Sequence, residues 1–263
     1  MHVPILAGEP ARQPVRCMKK VVILGATSAI ALAVARQLAH RACELLLVAR
    51  SSERLAQVQT DLEVRGAACV LIFAADPSDV AQHAAILACA SDRLPEFDTV
   101  LLAYGSMHDQ KLAATSIEIL REEIQVDFVS AAAILTLFAA EFARRRRGCI
   151  AAITSVAGDR GRRSNYVYGS AKGGLALFLQ GLRSRLYPAG VRVITIKPGP
   201  VRTPMTDDLP TAVQLADPNR VARDIVRALA GHTRDIVYTP PIWRLIMAVI
   251  RLIPEGLFKR LPL

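Results

Sequence analysis

The chain has 263 residues, 52% of them hydrophobic and 21% charged, and a formal net charge of +10. That is ample apolar material for one large α/β core, it excludes a disordered chain, and no second domain is expected. The basic balance by itself would suit nucleic acid, but aromatics are only 5%, and the arginines gather at Arg144 to Arg147, Arg160 to Arg163 and the C-terminal tail. With no nucleic-acid motif beside them, such local clusters fit an anionic membrane surface or an anionic substrate, and no nucleic-acid partner is expected. Cys17, Cys43, Cys69, Cys89 and Cys149 are an odd set without CxxC spacing. They read as buried thiols in a reducing compartment, with no metal site. No run reaches the roughly 18 to 20 uninterrupted apolar residues of a membrane span, and the first residues lack the apolar core of a secretory signal. A cytoplasmic protein is expected, with residues 1–18 as an extension outside the folded domain.

Short apolar runs then alternate with segments of helical period, as repeated βα units around a parallel sheet require. The predicted strands are Val21–Leu24, Glu44–Val48, Cys69–Phe73, Thr99–Ala103, Cys149–Thr154, Val191–Ile196 and Asp235–Tyr238. Helices are expected at Ser28–His40, Ser52–Val64, Asp79–Cys89, Ile117–Arg146, Tyr166–Tyr187 and Pro218–Ala230, the last capped by Asp217 with Pro218 in its first turn. The fold class is α/β: a single Rossmann-type, doubly wound parallel sheet of about seven strands with helices on both faces, spanning 19–240. An amphipathic tail, 241–263, follows.

The first βα unit, "VVILGATSAIALAVARQLA", is a buried strand, a glycine turn and a helix that opens on small residues. A dinucleotide pyrophosphate needs backbone N–H groups at a helix N-terminus with no side chain in the way, so Gly25, Thr27, Ser28, Ala29 and Ile30 are candidate contacts. Alanines 29 and 31 stand where a GxxxGxG spacing has glycines, which leaves an ordinary strand-to-helix turn open as an alternative. After the second strand, Ala49 and Arg50 occupy the place where NAD-binding sheets carry an acid. A guanidinium there favours NADP(H) over NAD(H), the alternative being a solvated strand-end charge.

In "SNYVYGSAK", Tyr168 lies four residues before Lys172, and a net helical rotation of about 40° puts both on one face. Tyr166 lies about 240° away from the lysine and faces elsewhere. An ammonium near Tyr168 is expected to lower its phenol pKa toward a useful acid and base. Ser155 ends the strand "CIAAITS", over the crevice where sheet ligands bind. Together, Ser155 and Tyr168 can donate to one carbonyl oxygen while Lys172 holds the phenol and a nicotinamide ribose.

From Met18 onward, "GATSAIA", the Ser155, Tyr168 and Lys172 set, and "KPGPVRT" resemble the short-chain dehydrogenase/reductase family. The resemblance implies hydride transfer at a carbonyl carbon in an NAD(P)-dependent enzyme. It also implies that Pro198 and Gly199 shape the nicotinamide pocket, Val201 lies in the same cofactor wall, Thr203 bonds the carboxamide and Asp76 lies by the adenine. Gly105 in "AYGS" matches the last glycine of the family's Asn-Asn-Ala-Gly turn, whose asparagines are missing here. Where the family has an asparagine that holds a water leading to the catalytic lysine, "IQVDFVSAAA" offers Asp127. An ionised Asp127 would stabilise the ammonium and the neutral phenol, so Asp127→Asn is expected to lower the pH at which activity rises. A salt-bridged helix residue outside the site is the alternative.

Two segments bear on the substrate. Arg160, Arg162 and Arg163 lie between Ser155 and Tyr168 and can hold a substrate phosphate at the pocket rim, or form a solvated loop. In the tail, Trp243, Ile246, Met247, Ile250 and Ile253 recur at helical spacing with Arg244 and Arg251 between them, and Phe258, Lys259 and Arg260 follow. That pattern suits a helix in a membrane interface, or one packed on the domain or on a dimer partner. These segments and the ending "IPEGLFKRLPL" resemble decaprenylphosphoryl-2-keto-erythro-pentose reductases. The resemblance implies a polyprenyl-phosphate-linked ketosugar substrate, a flavin oxidase as functional partner, and a homo-oligomer peripheral on the inner face of the membrane. An NADP-dependent reductase of a small or acyl-chain ketone is the alternative reading, and a non-catalytic interaction protein on the same fold the minor one.

Overall fold

A computed structural model of the chain describes residues 18–206, 214–231 and 234–261. The proposed extension before Met18, Cys17 within it, and the last two residues of the tail lie outside the described residues. Seven strands, β1 Lys20–Leu24, β2 Glu44–Ala49, β3 Cys69–Ala74, β4 Thr99–Leu102, β5 Cys149–Ile153, β6 Arg192–Pro198 and β7 Ile236–Thr239, form one sheet in the order β3-β2-β1-β4-β5-β6-β7. Every pairing is parallel. The alternating side-chain directions of a strand divide β1 cleanly: Val21 and Ile23 enter one core, Val22 and Leu24 the other. Because both faces are covered, the central strands read as continuous apolar runs rather than alternating ones.

On one face lie α1 Ala29–Ala39, α2 Ser52–Val64 and α8 Pro218–Leu229, contributing Val34, Leu38, Leu55, Leu62, Val221 and Ile225 to the core. The other face carries α3 His83–Arg93, α6 Ala131–Arg145 and α7 Tyr166–Leu186, with Ile86, Phe138, Phe142, Leu175 and Leu179 buried. Serines and aspartates that begin helices do so by accepting early amides: Ser51 from Arg54 and Asp217 from Asn219. Asp79 instead opens a short 3-10 turn, Val80–Gln82, so α3 starts at His83, later than the expected helix.

The long helix expected at Ile117–Arg146 is divided. It runs as α5 Ile117–Ile124, a π-turn Gln125–Ser130, and α6. A short helix, α4 Gln110–Ala113, precedes it and was not foreseen. The continuous run Ile117–Arg145 is long and apolar enough to cross a membrane by length and composition, yet its apolar residues Ile134, Leu135, Phe138 and Phe142 are buried against the sheet. Cys43 and Cys149 are buried, Cys69 and Cys89 partly so, and none of the four is in a disulfide. The tail forms α9 Ile242–Leu252 and α10 Glu255–Phe258.

Candidate active site

The chain runs outward from β1 through β2 to β3, then returns to place β4 on the other side of β1. A ligand crevice is expected at this reversal, beyond the carboxyl ends of the strands. Gly25 follows β1 with φ of +83°, and a Cβ there would lie 2.7 Å from the Tyr104 nitrogen. Only glycine suits that turn. The Gly25 and Ala26 amides both donate to the Val48 carbonyl, at 2.9 and 3.1 Å, drawing the turn against the end of β2. Ser28 caps α1 by accepting from the Ala31 amide at 3.3 Å. Thr27, Ser28, Ala29 and Ile30 are partly exposed around this end, whereas Ala31 is buried. The first amides of a helix lack carbonyl partners within it, so this end of α1 offers donors to an anion. Arg50 stands exposed just beyond β2. Asp76, beyond β3, accepts from the Ser78 amide and hydroxyl at 2.9 and 2.7 Å.

The other half of the crevice forms where α7 lies on the 3-10 turn Val156–Asp159 that follows β5. Glycines permit the approach: a Cβ on Gly158 would meet the Gly173 nitrogen at 2.6 Å. Ser155 opens that turn, its Oγ accepting from the Ala157 amide at 3.1 Å, and it lies beside the Tyr168 hydroxyl, whose pKa it draws down. The Lys172 Nζ lies 5.6 Å from the Tyr168 ring centroid. Ser155, Tyr168 and Lys172 are thus brought together as their spacing suggested, while Tyr166, the first residue of α7, is exposed.

Asp127 lies inside this group, on the π-turn. Its Oδ1 accepts from Lys172 Nζ at 3.1 Å and from the Ser106 amide at 3.0 Å. Lys172 and Asp127 are 4% and 1% exposed, which makes them a buried ion pair rather than a surface one. Gly105 makes room for it, since a Cβ there would fall 2.5 Å from Asp127 Oδ1 and 2.8 Å from Lys172 Nζ. The expectation of a lowered Tyr168 pKa is corrected here. Burial pushes the phenol up more than Lys172 pulls it down, and Asp127 and Glu123 add to the rise. Burial opposes the Lys172 charge, but Asp127, Tyr168 and Glu123 together hold the ammonium and move it upward. The counter-charge to the ammonium is Asp127, whose stabilisation of the ammonium and of the neutral phenol was expected from its place on the long helix.

Pro198 ends β6 and is buried; the Gly199 amide donates to the Thr239 carbonyl at 3.0 Å. Val201 is buried and bridges to Ala216, and the Thr203 amide donates to Thr206 Oγ1 at 3.1 Å. A Cβ on Gly199 would fall on the Trp243 indole, so the start of α9 covers this strand end.

Two readings of the tail and its neighbouring loop change. The Arg160 guanidinium donates to the carbonyls of Ile250 and Ile253 at 2.8 and 2.5 Å and to Glu255 at 2.9 Å, and stacks over Phe258 at 3.9 Å. It latches the tail, so its donors are not turned to a substrate phosphate. Arg162 is half-buried with its Nε unpartnered, and Arg163 is exposed. In α9 the stripe expected to meet a membrane packs inward instead, with Met247 fully buried and Trp243, Ile246 and Ile250 partly buried. A second stripe, Ile242, Leu245, Val249 and Leu252, is more than half exposed at every position, with Arg244, Arg251, Lys259 and Arg260 exposed around it.

Sequence reasoning passed over Glu123 and His108. Glu123 is 1% exposed, its Oε1 has no hydrogen-bond partner, and burial and the Asp127 charge push its carboxyl up while His108 and Lys172 draw it down. The signal was present: four residues before Asp127, it shares that residue's helix face.

A family model described as short chain dehydrogenase matches residues 19–214. An uncharacterized oxidoreductase of Mycobacterium tuberculosis is 36% identical over 242 residues, covering 92% of this chain and 96% of the relative. One from Streptomyces coelicolor is 35% identical over 248 residues, with the same coverage of each chain. Among solved structures, a short chain dehydrogenase from Burkholderia cenocepacia in complex with NADP superposes with a TM-score of 0.79 at 21% identity, over 93% of this chain and 98% of that one.

Proposed function

The chain belongs to the short-chain dehydrogenase family and is an oxidoreductase; on that premise we propose that it is an NADPH-dependent reductase of the keto group of a polyprenyl-phosphate-linked sugar, a 2-keto-pentose becoming the 2-hydroxy compound. The observation that carries the substrate is the exposed apolar stripe of α9, which lies on a helix fastened beside the crevice by Arg160 and Trp243. A helix with an apolar strip and flanking cations suits the interface of an anionic membrane, where a polyprenyl phosphate resides. Arg162 and Arg163 at the rim, the first with a buried unpartnered Nε, suit the phosphate of that lipid. A flavin oxidase that forms the ketosugar would be the functional partner, at the inner face of the membrane.

The crevice fits a dinucleotide. The glycine turn and the α1 N-terminus suit its pyrophosphate, and Arg50, exposed at the end of β2 with no acid beside it in sequence, suits a 2′-phosphate. Asp76, Gly105, Pro198, Gly199, Val201 and Thr203 would line the rest of the cofactor site. When bound, the reduced nicotinamide supplies the hydride. Ser155 and Tyr168 donate hydrogen bonds to the carbonyl oxygen, Tyr168 delivers its proton to the alkoxide as it forms, and Lys172, positioned by Asp127, holds the phenol in place.

The test is NADPH oxidation by the purified protein with polyprenyl-phosphoryl ketosugar in anionic liposomes, alongside soluble ketones and NADH. Turnover of the lipid, with NADPH preferred, and loss of liposome binding in a Leu245→Glu, Leu252→Glu variant that still reduces a soluble ketone are expected. Turnover of soluble ketones with none of any polyprenyl-phosphoryl ketosugar would overturn the substrate in favour of a small or acyl-chain ketone.

A further inference from the structure

Strand β6 ends where the tail begins to cover the sheet, and the direction of its side chains decides which side of the crevice the tail meets. Alternate residues of a strand point to one face. Val193 enters the core shared with α7, the Thr195 hydroxyl accepts from Arg183 of α7 at 2.9 Å, and Lys197 pairs with Asp159 on the 3-10 turn after Ser155. Gly199 continues that series, and its amide still bonds the Thr239 carbonyl of β7 at 3.0 Å. A side chain at Gly199 would therefore point to the face that carries α7, Ser155 and Tyr168. The Trp243 indole fills that place, since a Cβ on Gly199 would overlap its Nε1 edge. Trp243 keeps part of its surface exposed, beside a strand end whose Gly199 and Pro200 are themselves half-buried, whereas Met247 one turn on is fully buried. The helix is held in this position from its other end too. α9 lies against the turn Val156–Asp159, and Arg160, next in the chain, donates to the carbonyls of Ile250 and Ile253 at 2.8 and 2.5 Å.

Resting on the reductase reading of the site, we infer that Trp243 is a specificity-determining residue: its indole is the wall against which the ring bearing the substrate's keto group lies. The tail then belongs to the catalytic unit and is more than a membrane contact. β6 neighbours β5, with Ile153 paired to Ile196, so the indole stands one strand away from Ser155, a spacing of about 5 Å between strands. A substrate whose carbonyl oxygen is held by Ser155 and Tyr168 has its carbon skeleton within reach of that indole. A rigid aromatic plane favours a flat partner. A ring laid on it buries its C–H face with no internal freedom to lose, whereas an open chain must be immobilised to make the same contact. Such a wall favours a cyclic ketone, as in a ketopentose, over an acyl-chain ketone.

Matched six-carbon ketones, cyclohexanone and 2-hexanone, test this with NADPH as reductant. Comparing the ratio of their kcat/KM values between wild type and Trp243→Ala cancels their different chemical reactivities. The preference for the ring is expected to fall about ten-fold in the variant, through KM for cyclohexanone more than through kcat, with NADPH affinity little changed. Trp243→Phe keeps an aromatic side chain for α9 to pack on and should restore most of the preference, which keeps the test valid if the alanine variant loses the tail's packing. If only the polyprenyl-phosphoryl ketosugar turns over, its KM should rise in Trp243→Ala and return in Trp243→Phe. Trp243 is the chain's only tryptophan, which gives a readout without turnover. In Tyr168→Phe protein loaded with NADP+, cyclohexanol should change the indole emission saturably and shield it from quenching by acrylamide. A substrate preference and KM unchanged in both Trp243 variants, or an emission and quenching unmoved by the alcohol, overturns the wall while leaving the reductase reading standing. A wild type that reduces neither soluble ketone nor the ketosugar overturns the reductase reading, and the role of Trp243 with it.

Discussion

Two lysine–aspartate pairs with little exposure border the crevice, and they are completed in opposite ways. In the pair Lys197–Asp159, the lysine bonds Oδ1 and the Tyr238 hydroxyl donates to Oδ2 at 2.7 Å, so both carboxylate oxygens are engaged. In the pair Lys172–Asp127, Oδ2 has no partner and a second buried carboxylate stands nearby. A buried ion pair stabilises a fold only when its remaining polar atoms are also met. The first pair has the finish of a tie, fastening the segment that carries Arg160, Arg162 and Arg163 to β6 and β7. The second leaves one carboxylate oxygen open beside the lysine that faces the Tyr168 ring.

Substitution can separate the two roles. The largest effect is expected from Tyr168→Phe, which removes the acid while retaining the ring: carbonyl reduction should fall by a factor on the order of 100 to 10,000, with cofactor binding retained by fluorescence titration. Next is Asp159→Ala, which leaves the Lys197 ammonium without its counter-charge and should destabilise the fold by about 3 to 5 kcal/mol in chemical denaturation. Asp127→Asn should act mainly on titration. A negative charge beside a phenol disfavours the phenolate and raises its pKa, as Asp127 does to Tyr168, so removing the charge lowers it. In the alcohol-oxidising direction, where the phenolate is the base, the rising limb of the pH–rate profile should move to lower pH. An Asp127→Asn profile that coincides with the wild type, or an Asp159→Ala protein as stable as the parent, would erase the distinction between the pairs.

All seven strands and the grouping of Ser155, Tyr168 and Lys172 were legible because each is a local pattern: an apolar run, a strand end, a four-residue helical spacing. The acid pair was only half legible. Asp127 stood out as an unusual residue, but it sits on a π-turn that packs against α7, and the room for its carboxylate comes from Gly105, 22 positions earlier in the chain. The tail illustrates a different limit. Its sequence contains two apolar stripes on one helix, and periodicity alone does not tell which one meets the domain; Gly199 decides it, by admitting the Trp243 indole. Arg160 was misassigned for the same reason, since its carbonyl partners lie about 90 positions away in sequence.

The smallest effect is expected from Tyr166→Phe. Tyr166 and Tyr168 are two residues apart at the start of α7, and both carry a phenol that a substrate carbonyl could in principle use. Helical geometry turns them roughly 200° apart, so only one can share a face with Lys172. The structure leaves Tyr166 43% exposed, while Tyr168 lies beside Ser155 and has the Lys172 Nζ 5.6 Å from its ring centroid. Losing an exposed hydroxyl with no part in that network should change kcat by less than about two-fold and stability by under about 0.5 kcal/mol. A loss of rate comparable to that of Tyr168→Phe would mean that the proton donor had been assigned to the wrong ring. The two substitutions are therefore best assayed side by side on the same ketone, where the ratio of their rates isolates the contribution of position from that of chemistry.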